Sequence, residues 1–225
     1  SARLPVYMLF IGAFFAEQKA IVMLSLYILG VVLSILFALV MKHTAAFRQP
    51  KHDYVSELPP YRRPTIRHTG LHIWERVADY LQKIPAVIIW ASVIIWALTY
   101  FPTGSMNDME HSYLAAIGHW MEPIMEPLGF DWKMSVCLIT GLPAKEAIVS
   151  TMGILYPSDM ALVAFTPVKA YAFMAFVLLY FPCVATITTL GKELGAKWAW
   201  FSLVQSMVLA WIVSFIIYQV GNLLV

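Results

Sequence analysis

The stretch AIVMLSLYILGVVLSILFALVM, residues 20–41, decides the fold class, because none of its 22 side chains is charged. As an α-helix it measures roughly 33 Å, which matches the hydrocarbon core of a bilayer. The whole chain shares this character, since 60% of its 225 residues are hydrophobic and only 12% are charged. Soluble domains are about 25% charged. The composition therefore excludes an ordinary cytosolic enzyme, and a net charge of +2 is too small for a nucleic-acid binder.

Other uncharged runs extend the prediction to several membrane helices. Three more are long enough to span the bilayer, namely Ile84–Phe101, Ala170–Gly191 and Trp198–Val225. Three are too short to span, namely Leu4–Ala16, Met134–Ala144 and Ala147–Ser158. The backbone must satisfy its own hydrogen bonds in lipid, and the sequence lacks the alternating segments of a β-barrel. The predicted fold is an all-α, polytopic transmembrane helix bundle with discontinuous or re-entrant helices.

The charges of the connections predict on which side of the membrane each one lies. The segment Lys42–Lys83 holds eight Lys or Arg and four acids, whereas Pro102–Lys133 holds one Lys and five acids. The positive-inside rule places the first in the cytoplasm and the second outside. The basic turn Lys192–Lys197 also favours the cytoplasm, which requires Met134–Tyr156 to enter and return on one side. We therefore favour a re-entrant hairpin, broken at Gly141–Pro143, over a single crossing.

Two connections are predicted to lie along the membrane surface. The segment Thr65–Lys83 carries an apolar stripe, which is typical of an interfacial helix that leads into the next span. The segment Tyr113–Phe130 is predicted as an outer surface segment, broken by two prolines. The chain accordingly divides into a half-helix plus a transmembrane helix (1–41), a basic cytoplasmic loop with an amphipathic helix (42–83) and a C-terminal gate-like membrane domain (84–225).

The sequence GLPAKE, residues 141–146, places two charges between strongly apolar flanks. Adjacent residues on a helix do not face each other, so Lys145 and Glu146 each need another partner, water or an ion. The Glu146 carboxylate offers hard oxygen ligands to a divalent cation. The alternative is a surface loop with solvated charges.

A second candidate site lies within the run 170–191. Pro182 breaks the helix there and leaves backbone carbonyls without partners. Cys183 follows, with Thr186 one turn beyond, and a thiolate binds borderline or soft metals. The alternative is a mildly polar packing seam in which Cys183 is a small hydrophobic residue. Pro5 and Pro143 interrupt two other apolar segments, and such breaks are typical of a transporter's substrate site.

These motifs resemble, in the same order, the C-terminal membrane region of FeoB, the bacterial ferrous iron transport protein B family. The matching stretches are SARLPVY (1–7), ELPPY (57–61), WER (74–76), GLPAKE (141–146), GILY (153–156) and PCVAT (182–186). The resemblance implies a multi-pass protein of the bacterial inner membrane that forms part of the translocation path of a ferrous iron importer. It also implies that Fe²⁺ is the transported substrate, that no cofactor is tightly bound and that this chain is not an enzyme.

The resemblance also assigns residues and partners. Cys183 matches a gate cysteine of the family, and Lys145 and Glu146 match its Ala-Lys-Glu stretch. Our hypothesis makes Cys183 and Glu146 ligands of Fe²⁺, Lys145 a group that tunes the site, and Thr186 and Ser150 secondary oxygen donors. The expected partners are membrane lipid, an N-terminal GTP-binding domain with a first gate portion, a small cytoplasmic accessory protein and a second copy of the chain, but no nucleic acid.

Two other functions stay open on the sequence. One is a gate-type permease for an organic solute such as a nucleoside, which would need more buried hydrogen-bonding partners. The other is a non-transporting membrane scaffold that docks a cytoplasmic partner through its basic loop. A scaffold would not need charges within the membrane.

Overall fold

The computed structural model describes residues 3–44, 65–101, 109–143, 145–156, 165–180 and 184–224. Within these ranges the regular structure is helical throughout, which confirms the all-α prediction. The helices are α1 (Leu4–Phe14), α2 (Lys19–His43), α3 (Ile66–Tyr100), α4 (Tyr113–Met125), α5 (Trp132–Thr140), α6 (Ala147–Leu155), α7 (Pro167–Leu179), α8 (Val184–Glu193) and α9 (Ala196–Leu224). Short 3-10 turns, Met109–His111 and Glu126–Leu128, flank α4.

Two of the described helices are long and apolar enough to cross a membrane. They are α2, with a mean hydropathy of 2.7, and residues 196–223 of α9, with a mean hydropathy of 2.0. Only 11% and 17% of these windows are buried within the chain. The core helix of a soluble protein would be mostly buried, so the exposed apolar surfaces of α2 and α9 indicate a membrane protein.

Two predicted spans differ from the helices that form. The run Ile84–Phe101 is the second half of α3, a single helix of 35 residues that also contains most of the amphipathic segment before it. The run Ala170–Gly191 is divided, because α7 ends at Leu179 and α8 begins at Val184. Tyr180 already has extended backbone, with ψ 163°. Pro182 falls between these two helix ends in the sequence, and a proline cannot donate a backbone hydrogen bond within a helix.

Helices α5 and α6 form an antiparallel hairpin. Each has nine residues and is roughly 14 Å long, about half of a hydrocarbon core. The two helices pack against each other, and the Tyr156 hydroxyl at the end of α6 donates to the Asp131 carboxylate at the start of α5, 2.6 Å away. The chain therefore leaves the hairpin at the end where it entered, as the re-entrant prediction requires.

Helix α7 is the buried centre of the bundle, with an unbroken run of buried side chains from Ala172 to Val177. Helix α9 runs antiparallel to it, because the Ser214 hydroxyl donates to the Ala172 carbonyl and Gly221 lies against Val168. Helix α2 runs parallel to it, since Ser25 bonds to the Tyr171 hydroxyl at 2.9 Å while Gly30 contacts Leu178 near the other end.

The prediction that Pro123 breaks the segment Tyr113–Phe130 is wrong, because α4 continues through Pro123 to Met125. One face of α4 is buried against α5, including Leu114 and Met125. Side chains of α9 bind backbone carbonyls near both prolines. The Trp211 indole donates to the Ile124 carbonyl at 2.9 Å, and the Gln219 amide donates to the Pro127 carbonyl at 3.2 Å. These bonds dock the segment onto the bundle.

Candidate functional site

Two of the interrupted segments meet at Tyr180, the residue that ends α7. Tyr180 is buried, and its hydroxyl donates to the Gly141 carbonyl at the hairpin tip, 3.3 Å away. The Lys145 ammonium lies 4.5 Å from the centroid of the same ring, within range of a cation–π interaction. The GLPAKE stretch and the break that precedes Cys183 are therefore in direct contact.

The third interrupted segment, which contains Pro5, begins close to the end of α7. Arg3, at the start of α1, borders a cavity of about 400 Å³ together with Leu178 and Leu179 at the end of α7. Gly30 and Ser34 of α2 line the same cavity. We call Arg3, Gly141, Lys145 and Tyr180 the polar junction.

The depth of the polar junction follows from α2. Gly30 lies near the middle of this 25-residue helix, and a Cβ atom there would lie 3.5 Å from Leu178. Helix α2 has the length of a full span, roughly 37 Å. With α2 across the bilayer, the polar junction lies near the mid-plane of the membrane.

The helix ends around the polar junction give it an uneven field. Helices α5 and α7 end there, whereas α1 and α6 begin there. A helix carries partial negative charge at its C-terminal end and partial positive charge at its N-terminal end. The Lys145 ammonium lies beside the residue that ends α7, where such a field favours a cation. The arrangement can therefore hold a positive charge inside the membrane.

The structure separates the two charged residues of GLPAKE. Lys145 is 6% exposed, whereas Glu146 is exposed. The two side chains thus point to different surroundings, as their adjacent positions predict. Ser150 follows Glu146 by one helical turn on α6 and is also exposed. Glu146 and Ser150 therefore share one face of α6, directed away from the core.

The other predicted site residues are only partly described. Thr186 is exposed in the first turn of α8, Pro5 is exposed in α1 and Pro143 is buried in the hairpin tip. Pro182 and Cys183 lie outside the described residues, and so do residues 45–64 of the basic loop. The breaks at Pro5 and Pro143 both lie at helix ends that border the polar junction.

Among the described residues, no three His, Cys, Asp or Glu side chains come close enough together to hold a metal ion. Cys137, which is described, is fully buried in α5 and belongs to the hydrophobic core. The hypothesis of an Fe²⁺ site rests on Cys183 and Glu146, of which the structure describes only Glu146.

Sequence reasoning missed three tyrosines. Tyr180 connects the hairpin tip to the end of α7, and Tyr156 closes the hairpin base. Tyr7 is buried one turn after Arg3, and its hydroxyl has no hydrogen-bond partner within the described ranges. The sequence signal that could have indicated Tyr180 is its position two residues before Pro182. A buried tyrosine at the end of a helix needs a hydrogen-bond partner for its hydroxyl, and here that partner is a backbone carbonyl.

Comparisons with known proteins give two family matches. The Gate family model, described as nucleoside recognition, matches residues 82–197. The model of the ferrous iron transport protein B C terminus matches residues 23–76. No solved structure matches the chain.

Curated relatives cover the chain from end to end. An Fe(2+) transporter FeoB of Staphylococcus aureus is 41% identical over 100% of this chain and 35% of its own length. The FeoB of Methanocaldococcus jannaschii is 38% identical over 100% of this chain and 36% of its own. An Fe(2+) transport protein A/FeoB fusion protein of Porphyromonas gingivalis is 39% identical over 99% of this chain and 33% of its own. The chain thus spans about a third of the length of these relatives.

Proposed function

We propose that this chain forms part of the path of Fe²⁺ through a membrane importer. The proposal proceeds from its family, because the chain belongs to the Gate family and corresponds to the C-terminal region of ferrous iron transport protein B. The observation that carries the proposal is the polar junction, where interrupted helices meet a buried ammonium at the mid-depth of α2. Broken helices whose ends meet in mid-membrane are the usual substrate sites of secondary transporters.

Chain connectivity supports the two proposed Fe²⁺ ligands. Cys183 follows Tyr180 by only three residues, a stretch that spans at most roughly 11 Å. Glu146 is bonded directly to Lys145, whose ammonium lies on the Tyr180 ring. A thiolate with a carboxylate suits Fe²⁺ better than Mg²⁺ or Ca²⁺. Thr186 and Ser150 supply further oxygen atoms on the exposed faces of α8 and α6.

Lys145 has a different proposed role. Its ammonium occupies a position that favours a cation, beside the end of α7 and the Gly141 carbonyl. In the proposal it balances the local negative field while no Fe²⁺ is bound, and it is displaced or repelled when Fe²⁺ arrives. A lysine can do this because its charge is carried on a flexible stem.

The opposite end of the hairpin supports cation entry. A cavity of about 670 Å³ there is lined by Glu122, Glu126 and Asp131. Carboxylates around a concave mouth raise the local concentration of cations. The charge pattern predicts that this end faces outward, as import requires.

The remaining length of the relatives supports a larger assembly. In the proposal it supplies a GTP-binding domain and the first gate portion, and the whole protein lies in the bacterial inner membrane with several crossings. A small cytoplasmic accessory protein and a second copy of the chain are the further proposed partners. Any GTPase activity then belongs to the domain outside this chain.

The test is Fe²⁺ uptake into vesicles that carry the full-length protein. We expect Glu146→Gln and Cys183→Ser each to lower uptake by at least roughly tenfold, the scale of loss when a metal site is disturbed. The matched controls are Glu17→Gln, an exposed acid between α1 and α2, and Cys137→Ala, a core cysteine. Unchanged uptake in both Glu146→Gln and Cys183→Ser would remove these residues from the path.

The Gate description makes an organic solute the second candidate, because it names nucleosides. The described buried polar side chains are hydroxyls and Lys145, without an amide to bind a base. This favours a cation. Excess uridine or adenosine should leave Fe²⁺ uptake unchanged, whereas Mn²⁺ should compete; nucleoside uptake without metal uptake would reverse the assignment.

A further inference from the structure

The cavity of about 400 Å³ between the start of α1 and the end of α7 is closed on one side by the middle of α2. Its charged lining residue is Arg3, which is half-buried. The lining residues of α2 follow the spacing i, i+3, i+4, i+7 and i+8, which is that of a single helix face. They are Tyr27, Gly30, Val31, Ser34 and Ile35. We call this space the Arg3 cavity.

The polar side chains of the Arg3 cavity have no partner within the described ranges of the chain. The hydroxyls of Tyr27 and Ser34 make no hydrogen bond there, and the Arg3 guanidinium makes neither a hydrogen bond nor an ion pair. The face of α2 that packs against α7 differs, because Ser25 bonds to the Tyr171 hydroxyl at 2.9 Å. The covered face of α2 thus satisfies its hydroxyl, whereas the face at the Arg3 cavity does not.

The described charges at the depth of the polar junction do not balance Arg3. Lys145 is a second cation, and Glu146 is exposed on α6 without an ion pair to Arg3. The ends of α5 and α7 supply only partial negative charge. The membrane surface is roughly 15 Å away, too far for an arginine side chain to reach from the mid-plane. A charge at this depth requires a partner of opposite charge or water.

We propose that the Arg3 cavity receives a membrane helix from the part of the protein outside this chain, and that a carboxylate on this helix pairs with Arg3. The chain spans about a third of the length of its curated relatives, so most of the protein lies outside it. A guanidinium binds a carboxylate through two parallel hydrogen bonds. Gly30 has no side chain and Ser34 has a short one, so a second helix can approach α2 closely.

A second copy of the chain fits this face less well. Two copies joined here by a two-fold axis would place their Arg3 charges opposite each other in a medium of low dielectric constant, where like charges repel strongly. The inference rests on the proposed function in one respect, namely that the remaining length of the protein contributes membrane helices. It does not depend on which ion is transported.

Two neighbouring valines provide a matched test in the full-length protein. Val31 lines the Arg3 cavity and is 43% exposed, whereas Val32 is 46% exposed and does not line it. A short photoreactive diazirine amino acid replaces one or the other, and mass spectrometry identifies the peptide that it captures on illumination. We expect position 31 to capture a segment outside this chain that carries an Asp or Glu within one helical turn. Position 32 should not capture that segment.

Charge variants test the pair itself. Arg3→Gln should lower the melting temperature of the full-length protein in detergent, and Arg3→Lys, which keeps the charge but not the planar fork, should lower it less. Replacement of the captured acid by its amide should act like Arg3→Gln. The two substitutions together should destabilise the protein no more than either alone, because the double variant leaves no buried charge without a partner.

Several results would overturn the proposal. Capture of lipid alone, or of a second copy of the chain, would assign another occupant to the Arg3 cavity. Capture of the same segment from both positions would show no preference for the cavity, and a captured segment without an acid would remove the charge pair. Additive losses in the double variant would also show that the two charges do not pair. None of these measurements involves Fe²⁺ uptake, so the outcome is separate from that of the transport test.

Discussion

The base and the tip of the α5–α6 hairpin are held in different ways. At the base, the Asp131 carboxylate accepts the Tyr156 hydroxyl at 2.6 Å and caps α5 by accepting the Met134 N–H at 3.0 Å. At the tip, Tyr180 reaches the Gly141 carbonyl at 3.3 Å and lies under the Lys145 ammonium. Short bonds to a charged group are about twice as strong as neutral ones. The hairpin is therefore anchored at the membrane surface and held more weakly in mid-membrane, where the proposed path lies.

Removal of the anchor should have the largest effect on stability. Asp131→Ala deletes the helix cap and leaves the Tyr156 hydroxyl without its partner. We expect a loss of about 2–4 kcal/mol in the free energy of unfolding, the sum of a cap and an unsatisfied polar group. Denaturant unfolding in detergent micelles, followed by circular dichroism, measures it. Asp131→Asn keeps an oxygen acceptor and should cost clearly less; a loss equal to that of Asp131→Ala would mean that the base depends on the carboxylate charge and that a neutral oxygen acceptor does not replace it.

The contact at the tip should be weaker. Tyr180→Phe keeps the ring under Lys145 and deletes only the long bond to Gly141, so we expect a loss of about 1 kcal/mol or less. Tyr180→Leu also deletes the cation–π contact and should cost about 1 kcal/mol more. The same unfolding assay applies. A loss of stability in Tyr180→Phe that equals or exceeds the loss in Asp131→Ala would contradict the conclusion that the base is held more strongly than the tip.

The smallest effect should come from the exposed pair on α4. His119 Nδ1 lies 3.1 Å from the Glu122 carboxylate, and the two side chains are 51% and 38% exposed. Exposed pairs contribute little, so Glu122→Gln should change stability by less than about 0.5 kcal/mol. Thermal unfolding at low and high salt checks this. A loss comparable to that of Tyr180→Phe would show that this end of the hairpin depends on α4 as well as on Asp131.

The parts of the fold that sequence reasoning predicted correctly depend on local composition. The uncharged run at 20–41 predicted α2, and the Gly141–Pro143 break, with the charges on either side, predicted the hairpin. Both signals lie within a few residues of the structure that they specify. The same holds for the interruption between Leu179 and Val184, because Pro182 lies in that interval of the sequence and the effect of a proline on the backbone does not depend on the rest of the chain.

The parts that were missed or wrong depend on distant contacts. Tyr180 and Gly141 are 39 positions apart, so neither motif alone indicates their bond. The contacts between Tyr113–Phe130 and α9 were missed for the same reason, because the residues of α9 that bind its carbonyls lie 87 and 92 positions away. The pattern and composition of a segment indicate which secondary structure it prefers by itself. They do not show which side chain elsewhere will satisfy its backbone.

The position of Lys145 has a consequence for the electrical insulation of the cell. A path that passes Fe²⁺ must not leak sodium ions or protons down the membrane voltage during the long intervals between iron ions. The positive charge of Lys145 at the polar junction repels any monovalent cation that arrives, and only a strongly coordinated divalent ion gains enough from its ligands to outweigh that repulsion. If the polar junction is the path, the protein is closed to leakage by its own side chain, without a moving lid.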